Sequence, residues 1–335
     1  MKTKRDTMGA RARKASVPVH RARSGARASV ANLVAKRKVI GPLAQRRVTP
    51  NTLRYYDRAV AWFFLYVQCL GHSTPNDVAS FDELVGEAIE EAWGSGEGRA
   101  LVGHLLSGLK FYVPALSGQM RFGWSLWKAW GRLEAPFRAP PLSWIAVRAI
   151  AFELMHAGEP DIAVLVVIAF LGFLRTTEFC TLTVGQLVFN SSLTKMQILF
   201  PNSKSAQRSG NVEMVHINRP ALVKYCNILT RSKAASERLV PSSAAHFRRV
   251  FAEAVSTAGL SAQRFKPYSL RRGGATHHFK KFKSLDRTME IGRWSELKTA
   301  RVYINTALLE LTSMTEFELP SLKVAASAFT RIMGL

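Results

Sequence analysis

Cysteine and acid are the scarce residues in this 335-residue chain. The three cysteines, Cys69, Cys180 and Cys226, lie far apart. That spacing excludes a disulfide scaffold and any Cys-x-x-Cys zinc site, and it fits a reducing compartment. Long apolar runs are also missing. The longest, Ile162 to Leu174, is 13 residues counting Gly172. It is too short to cross a bilayer and predicts a buried helix. No apolar stretch follows the N-terminal charges, so no secretory leader is expected. Internal repeats are absent. Acids number 23 against 47 Lys and Arg, for a formal net charge of +24. Hydrophobic residues make up 47%, enough for packed cores, so a wholly disordered chain is ruled out. A folded chain of this charge points to a polyanion. Nucleic acid is favoured over anionic membrane, because no long basic amphipathic helix stands out. The length suggests two domains.

The basic excess is uneven. Residues 1–47 hold 14 Lys and Arg against one acid, Asp6, a net of +13; the other +11 (24 minus 13) lies beyond. This stretch shows no helical or strand period and reads as a disordered basic tail. Three roles fit it: holding DNA phosphates through counterion release, a nuclear-import patch at Lys36-Arg37-Lys38, or an organelle transit segment. The expected location is intracellular and DNA-associated, the nucleus in a eukaryote and otherwise the cytoplasm or nucleoid.

Residues 48–135 read as a small helical domain. Thr49 or Asn51 can cap a helix over 48–72 that Gly71 ends, and helices follow near 80–93, 100–113 and 124–133. Arg54, Arg58 and Arg99 are its candidate DNA contacts. The Pro-rich stretch 136–142 predicts a linker. From 143 to 335 the pattern predicts a second, mainly helical domain with a small β-hairpin. Ser143 caps a helix to about His156, and the apolar run makes the next. Strands are expected at Gln197–Pro201 and Val212–Ile217, around a polar loop. Helices are expected near 220–230, 244–258, 271–281, 288–292 and 298–303, with one more in the tail after Asn305.

Three segments of this second part stand out together. In Leu174-Arg175-Thr176-Thr177-Glu178, an Arg directly follows the most apolar helix, with an acid three residues on. A charge there needs a partner or a ligand; an Arg175–Glu178 ion pair would be one such partner. In Tyr268-Ser269-Leu270-Arg271-Arg272-Gly273-Gly274, two cations sit at an expected helix start, where the dipole disfavours them. Beside glycines, they suggest an anion held by side chains and backbone N–H groups. In Gly292-Arg293-Trp294 through Tyr303, the tyrosine follows the tryptophan by nine residues. Taken singly, a Trp or Tyr is more often core packing.

In this order the segments resemble the catalytic domain of the tyrosine recombinases, the phage-integrase family of DNA breaking-and-rejoining enzymes. Arg175 and Glu178 match the family's first box. Tyr268-Ser269-Leu270-Arg271 matches its His-x-Leu-Arg box, with Tyr268 where His is usual. Trp294 fits the next box, Tyr303 falls at the nucleophile, and Lys204 at the hairpin lysine, with Lys195 and Arg208 as rivals. The resemblance implies a helical (SAM-like) DNA-binding domain ahead of an integrase-type catalytic domain. It also implies double-stranded DNA as partner, no cofactor and no metal. Attack by Tyr303 would leave a 3′-phosphotyrosyl link, with Arg175 and Arg271 on the phosphate, Lys204 as acid, Trp294 donating its indole N–H, and Glu178 supporting. Arg272, Lys280, Lys281 and Lys283 are expected to meet phosphates. A C-terminal helix within Glu316–Ile332 is expected to dock on a neighbouring protomer in a tetramer on DNA, although Leu319, Leu322, Ala325, Ala328 and Phe329 equally suit packing on their own domain. Tyr268 leaves a second reading open, a catalytically weakened DNA-binding protein derived from such an enzyme. A type IB topoisomerase is a third. An RNA-binding protein is disfavoured, because no RNP-like motif is present.

Overall fold

The computed structural model describes residues 30–135, 137–201, 212–317 and 319–335. The described residues divide into two compact units, one before and one after residue 136. The described residues are mainly helical with one small antiparallel sheet.

The first unit contains α1 (Val30–Ile40), α2 (Pro50–Cys69), α3 (Val78–Gly94), α4 (Arg99–Tyr112) and α5 (Arg121–Leu133). The Thr49 hydroxyl accepts from the Thr52 amide and starts α2; Asp77 does the same for α3 through Ser80. Phe63 and Val67 of α2 meet Val85 and Ile89 of α3 and Leu105, Leu106 and Leu109 of α4 in one core. Gly108 lets α4 approach α2, because an added Cβ would lie 2.9 Å from the Val60 side chain. Asp82 is buried, and its carboxylate accepts from the Phe122 and Gly123 amides at 2.7 and 2.9 Å. From α3, this carboxylate thus caps the start of α5.

The basic tail is corrected here. Residues 30–40 are helical and 43–46 form a 3-10 turn. Ala, Leu, Lys and Arg favour helix without an apolar stripe, so no period announced it. Arg47 is anchored, donating to the Phe111 carbonyl at 2.5 Å with its guanidinium 4.1 Å from that ring centre. Residues 1–29 lie outside the described residues.

The second unit is built on α6 (Trp144–His156) and α7 (Pro160–Leu171). Ser143 caps α6 by accepting from the Ala146 amide, and every residue from Ile162 to Phe170 is buried. Then come α8 (Thr176–Cys180), β1 (Leu187–Phe189), β2 (Met196–Phe200) and β3 (Glu213–Ile217). The strands pair antiparallel in chain order, with Ile198 opposite both Leu187 and Val215. Met196, Ile198 and Phe200 face the core. The described residues then form α9 (Pro220–Thr230), α10 (Ala244–Thr257), α11 (Tyr268–Phe282), α12 (Leu285–Gly292), α13 (Leu297–Tyr303), α14 (Thr306–Phe317) and α15 (Pro320–Met333).

Two more expectations are corrected. Residues 139–142 of the proline stretch are no free linker. All four are buried; Leu142 donates its amide to the Ser269 carbonyl at 3.3 Å, and Ala139 offers its carbonyl to Arg272. The tail after Asn305 holds two helices, because Pro320 starts a new one. The last, α15, buries Leu322, Ala325, Ala326 and Phe329 in its own unit against α6, and Arg148 donates to Thr330 at 2.7 Å. Its apolar face is used within its own unit.

Candidate active site

Arg271 is the centre of the site. α11 begins at Tyr268, three residues earlier than expected, so Arg271 lies in its first turn with Ser269 through Thr276 all buried. Gly273 and Gly274 make that burial possible. An added Cβ at Gly274 would collide with the Phe170 carbonyl and lie 2.7 Å from the Phe173 ring; one at Gly273 would lie 2.7 Å from the Leu142 nitrogen. The glycines therefore serve close packing, and the expected anion cradle of backbone N–H groups is not there.

The Arg271 side chain is fully buried and donates to the carbonyls of Phe173 and, at 2.8 Å, Gly292. Both acceptors sit at chain reversals in the left-handed region, Phe173 itself at φ 47° and Arg293, just after Gly292, at φ 55°. Non-glycine residues held there store strain that the surrounding packing must maintain. The Arg271 Nε is buried without a partner. Burial, then the neighbouring Arg175 and Arg293 charges, pull the Arg271 pKa down to about 10. An anion at this point would relieve that repulsion.

Two rings lie against the Arg271 guanidinium, Trp294 and Tyr303, each centred 5.0 Å from its carbon. They stack on each other at 4.6 Å and 26°. The Trp294 Nε1 is buried and unpartnered. Tyr303 closes α13, and its backbone carbonyl accepts from Thr276 of α11 at 3.2 Å. Tyr268 lies 5.7 Å from Tyr303, ring centre to ring centre. Burial first, then a hydrogen bond with Tyr303, push the Tyr268 hydroxyl well above its usual pKa.

Arg175 caps the short α8. Its Nη1 donates to Glu178 Oε1 at 2.5 Å, and its amide to Glu178 Oε2 at 2.8 Å. Oε2 also accepts from Arg293 Nη2 at 2.7 Å. Burial raises the Glu178 carboxyl, but Arg293, the Arg175 amide and the Arg175 guanidinium outweigh it and hold it below the usual range. Arg293 went unassigned in the sequence; its buried position follows from the reversal after α12, which no local pattern marks.

Among the expected DNA contacts, Arg272 takes another place. Arg272 is buried, donating to the Ala139 carbonyl at 2.5 Å and the Val302 carbonyl at 3.4 Å, so it holds α11 to its surroundings and is not a surface phosphate contact. Arg99 packs its guanidinium 3.8 Å from the Trp127 ring and donates to the Trp127 carbonyl at 3.0 Å. Lys280 pairs with Glu310 at 3.1 Å. Arg54, Arg58, Lys281 and Lys283 are exposed. Lys204 and Arg208 lie outside the described residues. Lys195 precedes the far end of β2, five residues from Phe200, or about 17 Å along a strand. Phe200 is the end that meets the site, since Arg293 lies 4.3 Å from its ring centre. No cluster of metal-binding side chains occurs among the described residues.

Residues 152–309, which include Arg175, Arg271, Trp294 and Tyr303, match the model of the phage integrase family. This stretch is similar to the phage integrase family. Solved structures agree on the fold. The Tn1549 transposon integrase, in complex with transposon right-end DNA, is 14% identical; the match covers 80% of this chain and 95% of that one, with a TM-score of 0.58. A lambda integrase dimer bound to a COC′ core site is 15% identical over 82% of this chain and 94% of that one, with a TM-score of 0.53. No curated protein matches the sequence. Within this stretch, Arg271 reaches the Phe173 reversal that precedes Arg175, and Trp294 and Tyr303 lie against the Arg271 guanidinium. No described helix is long and apolar enough to cross a membrane.

Proposed function

We propose that this chain is a site-specific DNA recombinase that cuts and rejoins strands through Tyr303. The convergence of Arg271, Trp294 and Tyr303 from separate stretches of chain is the observation that carries this reading. The Tyr303 oxygen, giving up its phenolic proton to solvent water, attacks a backbone phosphorus in line. A bond from phosphorus to the phenolic oxygen forms, the bond to the 5′-oxygen breaks, and a 3′-phosphotyrosyl link remains. The linkage conserves the phosphodiester's energy, so attack by a 5′-hydroxyl reseals the strand without ATP.

The pentavalent transition state gathers negative charge on the non-bridging oxygens. Arg175 meets it with the open edge of its guanidinium, and Arg271, whose Nη groups are held by the Phe173 and Gly292 carbonyls, adds its positive charge from behind. Such a donor contributes about 3–4 kcal/mol of transition-state stabilisation. The free indole N–H of Trp294 supplies another. Lys204 protonates the departing 5′-oxygen. Tyr268 stands where an imidazole is usual, and its raised pKa keeps it a neutral phenol. It orients Tyr303 by hydrogen bonding and does not serve as the base. Arg54, Arg58, Lys281 and Lys283 hold flanking phosphates.

The neutral Tyr268 also favours a second reading, a DNA-binding protein of recombinase descent that no longer cleaves. A nicked suicide substrate, with its site selected from random DNA, separates the two. Cleavage predicts a covalent protein–DNA adduct that Tyr303→Phe abolishes. Specific binding by the unaltered chain with no adduct would establish the second reading and refute the first. Relaxation of supercoils without sequence preference would instead indicate a topoisomerase.

A further inference from the structure

Arg293 is an odd residue to find buried. Its backbone is held at φ 55°, where glycine is at ease and arginine is not. Its side chain is 3% exposed, runs over Phe200 and makes one ion pair, Nη2 to Glu178 Oε2. Nε and Nη1 are buried with no partner. Unpaired buried donors on a charged group cost stability, so packing alone does not account for this arrangement.

The consequence lies on the other side of Glu178. An arginine beside a carboxylate tends to close into a two-point fork, one nitrogen on each oxygen. Arg175 does not. Its side chain makes one bond, from Nη1 to Oε1, and is 38% exposed. The second point of the fork would fall on Oε2. That oxygen already takes the Arg175 amide at 2.8 Å and Arg293 at 2.7 Å, which uses both of its lone pairs.

We propose that Arg293 is a positioning residue: by filling the second oxygen of Glu178, it stops Arg175 from closing on that carboxylate and keeps one edge of its guanidinium open to a DNA phosphate. This rests on the recombinase reading for its consequence in catalysis, though not for the geometry itself. Arg293 acts here through Glu178 and need not touch the substrate.

The test is an epistasis experiment with a structural readout beside it. R293M frees Oε2. Adduct formation at saturating DNA should slow by about 10–100-fold, while DNA affinity changes little. Adding E178Q removes the second anionic oxygen and should restore much of the lost rate. If Arg293 is only a structural partner, E178Q takes away one more contact and slows the reaction further, which would overturn the proposal. R293K, which still places a donor on Oε2, should stay close to the unaltered rate and keeps the test alive if R293M does not fold; a rate collapsed to the R293M level, or for R293K alone a large loss, would count against the idea. A crystal structure of R293M or R293K decides independently of activity. Two Arg175 nitrogens on Glu178 in R293M, and one in R293K, are expected; a single contact in R293M overturns the proposal. If the unaltered chain forms no adduct, the recombinase reading fails, and these crystal structures still decide the role of Arg293.

Discussion

Replacing Arg271 by lysine should damage folding and cleavage together. The guanidinium spans two carbonyls, those of Phe173 and Gly292, on two different chain reversals. An ammonium on a shorter stem cannot reach both. At least one of these carbonyls is then left without its donor beside a fully buried side chain. A lost hydrogen bond to a charged group costs about 1.5–3 kcal/mol, and an orphaned buried acceptor lies in the same range, so unfolding free energy should drop by about 2–4 kcal/mol. The rings of Trp294 and Tyr303 also lose the flat cation they pack against. Cleavage should fall by a further factor of about 100–1000 in the fraction that stays folded, as for any group aimed at developing charge. Urea denaturation reads the first quantity, and adduct formation on a suicide substrate below the transition reads the second. Arg175→Lys is the contrast. Arg175 is more than a third exposed and holds only Glu178, so its stability cost should be under about 1 kcal/mol while cleavage still collapses. Equal stability of Arg271→Lys and the unaltered chain would refute the claim that Arg271 ties the two reversals together.

Three other outcomes follow from the packing. Gly274→Ala should destabilise the second unit by about 1–3 kcal/mol or more, since its Cβ meets the Phe170 carbonyl, a rigid neighbour; thermal melting checks it. Asp82→Ala should cost the first unit about 1–2 kcal/mol by uncapping α5, seen as a lower urea midpoint. Burial, then neighbouring cations, depress the pKa of both His277 and His278. The unfolded chain therefore takes up these protons first as pH falls, and the stability they contribute at neutral pH is lost below about 6.5. A His277→Gln/His278→Gln double variant should flatten the decline in unfolding free energy between pH 7 and pH 5.

Much of this architecture is written locally. Thr49 and Ser143 announce their helices through side-chain caps, and Pro220 starts α9 at its first position. The apolar run at 162–170 is buried along its whole length, as a run with no polar face must be. Arg175, Arg271, Trp294 and Tyr303 stood out through the resemblance of three short segments, in order, to the tyrosine recombinases; each segment by itself suits ordinary packing or pairing. What escaped was set by distant contacts. β1 is three residues long and exists by pairing with β2. Residues 139–142 look like a linker until Gly273 lets them lie against α11. Arg272 has the sequence of a surface cation but fills a cleft between Ala139 and Val302. Arg293 matters through Glu178, 115 positions away, which no local pattern encodes.

Mass spectrometry of the trapped protein–DNA complex tests the central claim most directly. After nuclease and protease digestion, one modified peptide is predicted, carrying its nucleotide on the phenolic oxygen of Tyr303. A nucleotide on Tyr268 or any other side chain, or a trapped complex with no covalent link at all, would contradict it.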